Sequence, residues 1–207
     1  MDDTAIIYVI DGDTQARETV VAALAEQGSK VHAFASVDEF IVGYESNCAA
    51  CLVVDMQLIA PGSDLHAQLR TMEGVLPVIV VAGSCDVRTA VSVMRQGALT
   101  VLQKPCLPED LRQSVNEAVA KHKVLRQKRD ARKKLRERYS KLTQSEQQVL
   151  ANLAQGKPNK AIATDLNLSL RTVEMRRATI LRKMEAATLA ELLRMEYELR
   201  DGEPQDL

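Results

Sequence analysis

The sequence predicts an α/β unit followed by an all-α unit. In the first 120 residues, short β-branched and apolar runs alternate with stretches of helical periodicity. From residue 108 onward the helical pattern continues without another strand. The charge also changes sign: residues 1–120 carry seven basic and 16 acidic residues, and residues 121–207 carry 20 basic and 12 acidic ones. Such a split indicates two modules with different partners.

Composition excludes several classes of protein. The 207 residues are 46% hydrophobic and 27% charged, which is the balance of a globular chain. No apolar run approaches the ~18 residues of a membrane-spanning helix, and the start is acidic where a signal peptide is basic. We therefore expect a cytoplasmic protein without membrane contact. The aromatic content of 3% argues against a stacking surface for single-stranded nucleic acid.

Five apolar runs predict strands that are buried on both faces, as in a parallel sheet. These runs are Ile6–Ile10, Val31–Phe34, Cys51–Val54, Val78–Val81 and Thr100–Leu102. The helices predicted between and after them are Thr14–Gln27, Val37–Tyr44, Leu65–Met72, Val87–Gln96 and a helix that begins at Pro108. Five βα units in about 120 residues predict a flavodoxin-like, doubly wound (βα)5 fold.

Charged residues follow three of the predicted strands. Asp11 and Asp13 follow the first strand, Asp55 follows the third, and Lys104 follows the fifth. The carboxyl ends of parallel strands meet at one edge of the sheet, where such folds place their chemistry. Two or three carboxylates and one ammonium suit Mg²⁺ and a phosphoryl group, with one carboxylate as the nucleophile. The alternative is that these acids only cap helices, a role for which Asp13 is the best candidate.

The cysteines give a weaker signal. Cys48 and Cys51 have the spacing of a metal knuckle or a redox pair, but no second pair follows at zinc spacing. Disulfides are rare in the cytoplasm. We interpret the two residues as small side chains packed beside a strand.

Residues 5–120 resemble the response-regulator receiver domain. The motifs that carry the resemblance are Val9-Ile10-Asp11, Leu52-Val53-Val54-Asp55, Pro77-Val78-Ile79-Val80-Val81 and Gln103-Lys104-Pro105. The resemblance implies that Asp55 accepts a phosphoryl group from a histidine kinase and that Lys104 pairs with the phosphate. It further implies a Mg²⁺ site and a cis bond between Lys104 and Pro105. The implied Mg²⁺ ligands are Asp11, Asp13, Asp55 and the backbone carbonyl of Gln57.

The sequence departs from the receiver pattern at several positions. Gly12 stands where the family has a second acid, which weakens the Mg²⁺ site. Ala82 replaces the switch Thr or Ser, with Ser84 as the nearest hydroxyl, and Val101 replaces the switch aromatic. The loop from Asp55 to Leu65 is one residue longer than is usual. These departures leave the control by phosphorylation open.

A basic segment over residues 121–141 follows the receiver-like part and carries 11 basic and two acidic residues. The helix that begins at Pro108 has no stop before about Ser140. Its apolar residues follow a four–three seam at Leu111, Val115, Ala118, His122 and Leu125. We predict a long linker helix that packs on the sheet at first and could pair two chains later, with a secondary attraction for phosphates. His122 is interpreted as a packing or solvated residue.

Residues 142–207 form the predicted second domain. Thr143 and Glu146 have capping-box spacing, and Gly156 and Pro158 end the helix that they begin. The segments that follow are a short helix over Asn159–Leu166, the turn Asn167-Leu168-Ser169, a helix over Ser169–Met184 and a fourth helix over Leu189–Leu199. Two short helices joined by a tight turn predict a helix-turn-helix.

The third helix of this domain has an apolar face and a basic face. Val173, Ile180, Leu181 and Met184 form the inward stripe, and residues 142–183 carry seven basic and three acidic residues. An α-helix fits the major groove, and Arg and Lys neutralise phosphates, so this pattern suits double-stranded DNA. The alternative is a helical bundle that does not bind DNA.

Residues 142–196 resemble the LuxR-type output domain of FixJ/NarL response regulators, a resemblance carried by nearly the whole stretch 142–184. It implies base-facing positions for Glu174, Met175 and Ala178. It also implies that four residues contact or approach phosphates, namely Thr172, Arg176, Arg177 and Lys183. The fourth helix would contribute to a dimer, with Leu192, Leu193 and Tyr197 as candidates.

The leading hypothesis is a homodimeric, DNA-binding transcriptional response regulator of a two-component system, and not an enzyme. Its partners would be double-stranded DNA and a histidine kinase. Two alternatives remain open. The receiver-like part could act as a phosphotransfer or phosphate-sink component, or it could be a pseudo-receiver that is controlled by a ligand or a protein partner.

Overall fold

The computed structural model describes residues 4–25, 30–45, 48–59 and 76–200. The chain forms two compact units, Met1–Gln127 and Lys128–Leu207. The predicted division into 1–120, 121–141 and 142–207 stays a prediction. The predicted helix over Leu65–Met72 and most of the loop before it lie outside the described residues. In the described part, no helix is long and apolar enough to cross a lipid bilayer.

The first unit contains the predicted parallel sheet. Its strands are β1 Ile6–Ile10, β2 Lys30–Phe34, β3 Ala50–Asp55, β4 Val78–Ala82 and β5 Thr100–Gln103. They pair in the order β2-β1-β3-β4-β5, and all pairs are parallel. Every residue of β1, β3 and β4 is buried, which explains why these strands are continuous apolar runs. The flavodoxin-like prediction is confirmed.

Helices cover this sheet. They are α1 Thr14–Ala25, α2 Val37–Gly43 and α3 Val87–Arg95, with a 3₁₀ turn at Met56–Leu58. Alternate residues of each strand enter two cores. Tyr8 and Leu52 lie in a core with Phe40 of α2, whereas Ile7 and Val9 lie on the opposite face. The last two residues predicted for the first helix, 26 and 27, are outside the described part.

The long helix α4 spans Pro108–Ser140, as the sequence predicts. Leu111, Val115 and Ala118 pack against the sheet, which confirms the first part of the seam. His122 is also buried, and its Nδ1 accepts a hydrogen bond of 2.8 Å from the backbone N–H of Ala50. It is therefore a packing residue. Leu125 is 39% exposed, so the seam no longer faces the sheet at that point.

The second unit is helical. After the last turns of α4 come α5 Gln144–Ala154, α6 Asn159–Asp165, α7 Leu170–Met184 and α8 Leu189–Arg200. The predicted capping box is present, because Thr143 Oγ1 accepts from the Glu146 N–H and the Glu146 carboxylate accepts from the Thr143 N–H. The helices share one core, which also takes in Leu135 of α4.

The fourth helix requires one correction. Leu192 has no exposed surface, because it packs in the core of its own unit. It was a candidate for contact with a second subunit, and that assignment is wrong. Leu193 also packs against the core, whereas Tyr197 is 62% exposed.

The interpretation of the cysteines is confirmed. All four thiols are free. Cys51 is fully buried in β3, and burial raises the pKa of its thiol to about 12. A thiol that is held protonated in this way is a poor metal ligand and a poor nucleophile.

Candidate phosphoacceptor site and nucleic-acid interface

A triad of charged side chains lies at the carboxyl ends of the strands. Asp11 follows β1, Asp55 is the last residue of β3, and Lys104 follows β5. The Lys104 Nζ lies 2.6 Å from Asp11 Oδ2 and 3.0 Å from Asp55 Oδ2. The two aspartates are 3% and 8% exposed. The fold thus brings these three predicted residues together, although 93 positions separate the first from the last.

Lys104 is held in its charged form. Partial burial alone would lower the pKa of its ammonium group, but the hydrogen bonds and charges of Asp11 and Asp55 outweigh that effect and raise the pKa. One ammonium between two carboxylates leaves the pocket with a net charge of −1. A phosphoryl group that enters the pocket would meet a positively charged donor at its rim.

Asp13, the third predicted carboxylate, is used differently. It is exposed, and its Oδ1 accepts a hydrogen bond of 2.8 Å from the Ala16 N–H in the first turn of α1. Its own N–H donates to Asp11 Oδ1 at 2.9 Å. The side chain therefore caps the helix, which was the alternative open for this residue.

The residues at the pocket fit Mg²⁺, but with fewer carboxylate ligands than the sequence predicts. Mg²⁺ is commonly bound by one or two carboxylates, with water and phosphate oxygens in its other positions. Asp11 and Asp55 meet this minimum. The backbone carbonyl of Gln57 is the other predicted ligand. Gln57 lies two residues after Asp55, and its N–H donates to Asp55 Oδ1 at 3.1 Å. Among the residues that the structure describes, no three acidic, histidine or cysteine side chains form a metal-binding group.

The predicted switch positions lie on β4, after β4 and on β5. Ala82 ends β4 and is fully buried, and its carbonyl accepts from the Lys104 N–H at 2.7 Å. Ser84 lies two residues further on and is exposed. Val101 is partly buried on β5 and packs against the core that contains Tyr8. The peptide bond between Lys104 and Pro105 is cis.

The turn between α6 and α7 is tight. Asn167 has a positive φ of 53°, a conformation that Asn tolerates better than most residues. The Leu168 N–H then donates to the Ala163 carbonyl at 2.8 Å. Ser169 begins the next helix, because its Oγ accepts from the Thr172 N–H at 3.1 Å. The local sequence therefore builds the predicted helix-turn-helix.

Helix α7 presents two different faces. Val173, Ile180 and Met184 have no exposed surface, and they attach the helix to the core. Glu174, Met175 and Ala178 are exposed on the other side. Met175 is 64% exposed although it is a large apolar residue.

Unpaired cations lie in the first half of this helix. Arg176 and Arg177 are half-buried, and within the described part of the chain neither has an acidic partner. Arg171, which the sequence reasoning missed, is exposed in the first turn and also lacks such a partner. Arg171 lies four residues before Met175, so helical periodicity places both residues on the same face. This spacing could have identified Arg171 from the sequence.

Thr172 and Lys183 are the remaining two predicted phosphate contacts, and both interact with other side chains of the second unit. The hydroxyl groups of Thr172 and Ser169 lie 2.7 Å apart. The Lys183 Nζ lies 2.6 Å from the Glu146 carboxylate on α5.

Comparison with known protein families divides the chain in the same way. Residues 7–116 match the response regulator receiver domain, and residues 140–196 match the bacterial regulatory proteins of the luxR family. The transcriptional regulatory protein FixJ of Azorhizobium caulinodans is 34% identical over 196 residues, which cover 94% of this chain and 93% of the relative. The response regulator protein TodT of Pseudomonas putida is 29% identical and covers 97% and 89%.

Solved structures agree with this division. The response regulator StyR matches with a TM-score of 0.81 and 28% identity, over 94% of this chain and 99% of the other. Full-length FixJ from B. japonicum matches with a TM-score of 0.53 and 28% identity, over 95% and 97%. The chain therefore belongs to the two-component response regulators of the FixJ type, DNA-binding regulators that join a receiver domain to a LuxR-type helix-turn-helix domain.

Proposed function

We propose that this response regulator controls transcription as a homodimer that inserts α7 of each protomer into the major groove of double-stranded DNA. One observation carries the proposal: α7 buries its apolar face and leaves three arginines of its first half without an acidic partner in the described residues. Unpaired cations on a helix of this kind neutralise phosphates. Two-fold symmetry would place the half-sites about one helical turn, ~10 bp, apart.

The contacts divide into two sets. Arg176 and Arg177 would bind phosphates, with Thr172 at the start of the helix and Arg171 as an addition. Glu174, Met175 and Ala178 would face base edges, since they are exposed on the side of α7 opposite the core. Phosphate contacts set the register of a protein on DNA, and contacts to base edges select the sequence.

Salt dependence tests this assignment directly. If the bound dimer neutralises ~4–6 phosphates, the logarithm of the affinity falls with the logarithm of the salt concentration with a slope near −4 to −5. The variant Arg176→Ala/Arg177→Ala removes two arginines from each protomer, so we expect its mobility-shift series to show a slope smaller by about 4 for the dimer. Arg194→Ala is the matched control, because Arg194 pairs with Glu198 on the exposed side of α8. A flat salt response of the unaltered protein would contradict DNA binding through this helix.

For the input, we propose that Asp55 accepts a phosphoryl group from a histidine kinase. Asp55 Oδ2 lies 3.0 Å from the Lys104 ammonium, which would neutralise charge on the transferred group. Mg²⁺, when bound, supplies further positive charge to the phosphoryl oxygens, and Asp11 and Asp55 are the residues that would hold it. Labelling by a small acyl phosphate in the presence of Mg²⁺ tests this step, with Asp55→Asn as the variant that cannot be labelled.

A second candidate function concerns the same pocket. Gly12 lacks a carboxylate and Asp13 caps α1, so the first unit supports a pseudo-receiver that responds to a ligand or a protein partner. In that case the protein would take no label, and Asp55→Asn would leave the affinity for DNA unchanged. A phosphate sink, in contrast, would take label rapidly, and its DNA affinity would not respond to labelling.

A further inference from the structure

A single carboxylate connects the first helix of the DNA-binding unit with the end of α7. Glu146 Oε2 accepts a hydrogen bond of 2.7 Å from the Thr143 N–H and another of 2.6 Å from the Lys183 ammonium. The side chains of Glu146 and Lys183 are 10% and 26% exposed. The capping box of α5 therefore shares its acceptor with a cation from α7.

The charge state of Glu146 favours this bond at neutral pH. Burial alone would raise the pKa of its carboxyl group, but the bonds from Lys183 and Thr143 outweigh burial and lower the pKa. If the Lys183 ammonium left to bind a phosphate, a carboxylate buried to nine-tenths would lose its counter-charge. The removal of one partner from a buried ion pair is costly. Lys183 is therefore held on Glu146 in the folded unit.

The bond has a geometric consequence for the first half of α7. Lys183 lies seven residues, or nearly two helical turns, after Arg176, so both residues lie on the same side of the helix. The apolar contacts of Ile180 and Met184 hold α7 on the core but have little direction of their own. A hydrogen bond between charged groups is directional. Such a bond would fix the rotation of α7 about its axis, and with it the direction in which the Arg176 side chain points.

We propose that Lys183 is a positioning residue, which through Glu146 sets the rotation of α7 in the major groove and makes no phosphate contact of its own. This proposal rests on the proposed DNA-binding function. It gives Lys183 a role different from the phosphate contact that its place in the family pattern implies. The two roles predict different salt dependence, because only a cation that binds phosphate displaces counterions from DNA.

The test compares variants of the full chain on one 30-bp duplex at several salt concentrations. We expect Lys183→Met to bind roughly three- to tenfold more weakly at every salt concentration, with the slope of the unaltered protein retained. Arg176→Met removes one phosphate contact from each protomer by our assignment and reduces the slope for the dimer by about 2. Lys183→Arg restores the affinity, because its guanidinium donates to the same carboxylate. Arg194→Met changes neither quantity.

A double-mutant cycle connects the effect to Glu146. Glu146→Gln keeps an oxygen for the Thr143 N–H but loses the charge that binds Lys183. We expect Glu146→Gln/Lys183→Met to bind no more weakly than the weaker single variant, because both changes break the same bond. Lys183→Gln, which retains a donor without charge, serves if Lys183→Met does not fold, as judged by circular dichroism.

Two results would overturn the proposal. A slope that falls by about 2 for the dimer in Lys183→Met or Lys183→Gln would make Lys183 a phosphate contact. If the losses of DNA affinity were additive in the double variant, Lys183 would act independently of Glu146. In either case the salt-dependent binding of the unaltered protein would remain, so the proposed function would stand. If the unaltered protein binds the duplex without salt dependence, the proposed function fails first and the proposal fails with it.

Discussion

A carboxylate at position 12 should strengthen Mg²⁺ binding at the phosphoacceptor pocket. Gly12 follows Asp11 directly and is exposed. A Cβ at this position would find Leu58 Cδ2 as its nearest neighbour, at 3.8 Å, which is an ordinary van der Waals distance. Gly12→Asp therefore adds a negative charge beside the pocket, and its Cβ displaces no other atom.

The size of the effect follows from Coulomb's law. Two unit charges 4 Å apart attract each other by about 1 kcal/mol in surroundings like bulk water, which suit an exposed position. The divalent charge of Mg²⁺ doubles this to about 2 kcal/mol. Since 1.4 kcal/mol is a factor of ten in a binding constant, Gly12→Asp should bind Mg²⁺ roughly 30-fold more tightly.

Isothermal titration with MgCl₂ measures this change. Gly12→Asn is the matched control, because its side chain has the same shape and carries no charge. We expect the Asn variant to bind Mg²⁺ within about threefold of the unaltered protein, since a neutral amide lacks the charge that produces the gain. Equal affinities of the Asp and Asn variants would refute the reasoning, because the missing charge would then not limit the site.

Three further predictions concern the second unit. Thr143→Ala removes the hydroxyl of the capping box and should lower the free energy of unfolding by about 1 kcal/mol in urea; Ser140→Ala, whose hydroxyl donates to a carbonyl of its own helix, is the control. Ile162→Ala leaves a cavity in the core and should cost about 2–5 kcal/mol in the same assay. The lowered pKa of Glu146 means that its contribution is complete above its unfolded value of about 4.3 and is lost as the pH falls through the lower folded value. Urea titrations between pH 6 and 3 should therefore show a steeper loss in the unaltered protein than in Lys183→Gln.

Among the described residues, the succession of strands and helices along the chain was predictable from the hydrophobic pattern. β1, β3 and β4 are buried on both faces, so each is a continuous apolar run in the sequence. The ends of β3 were harder to predict from the hydrophobic pattern. The strand begins at Ala50 and ends at Asp55, one residue beyond the predicted run on each side. Backbone pairing with the neighbouring strands sets these ends, and it does not depend on whether a side chain is apolar.

The roles of individual charges were harder to predict. Asp13 stands two residues after Asp11, and either a metal site or a helix cap suits that position. In the structure its Oδ1 caps α1 by accepting from the Ala16 N–H at 2.8 Å. Lys183 pairs with a residue 37 positions away, and helical periodicity does not show such a partner. The same is true of the apolar residue Leu192, which packs in the core of its own unit. Helical periodicity shows that a residue is apolar and faces inward, but it does not show whether it packs within one subunit or against a second subunit.

The net charge of the pocket predicts how position 12 would affect the binding of Mg²⁺ and of a phosphoryl group. Asp11, Asp55 and Lys104 together carry a charge of −1, so a bound Mg²⁺ leaves an excess of +1. An additional acid at position 12 would bring the pocket to −2 and balance the ion without phosphate. In this chain the ion is balanced only when an anion accompanies it, and a phosphoryl group is such an anion. We therefore expect Mg²⁺ and a phosphoryl mimic to bind cooperatively to the unaltered protein, and to bind more independently in Gly12→Asp. Titration of Mg²⁺ with and without the mimic would contradict this charge argument if both proteins showed the same coupling.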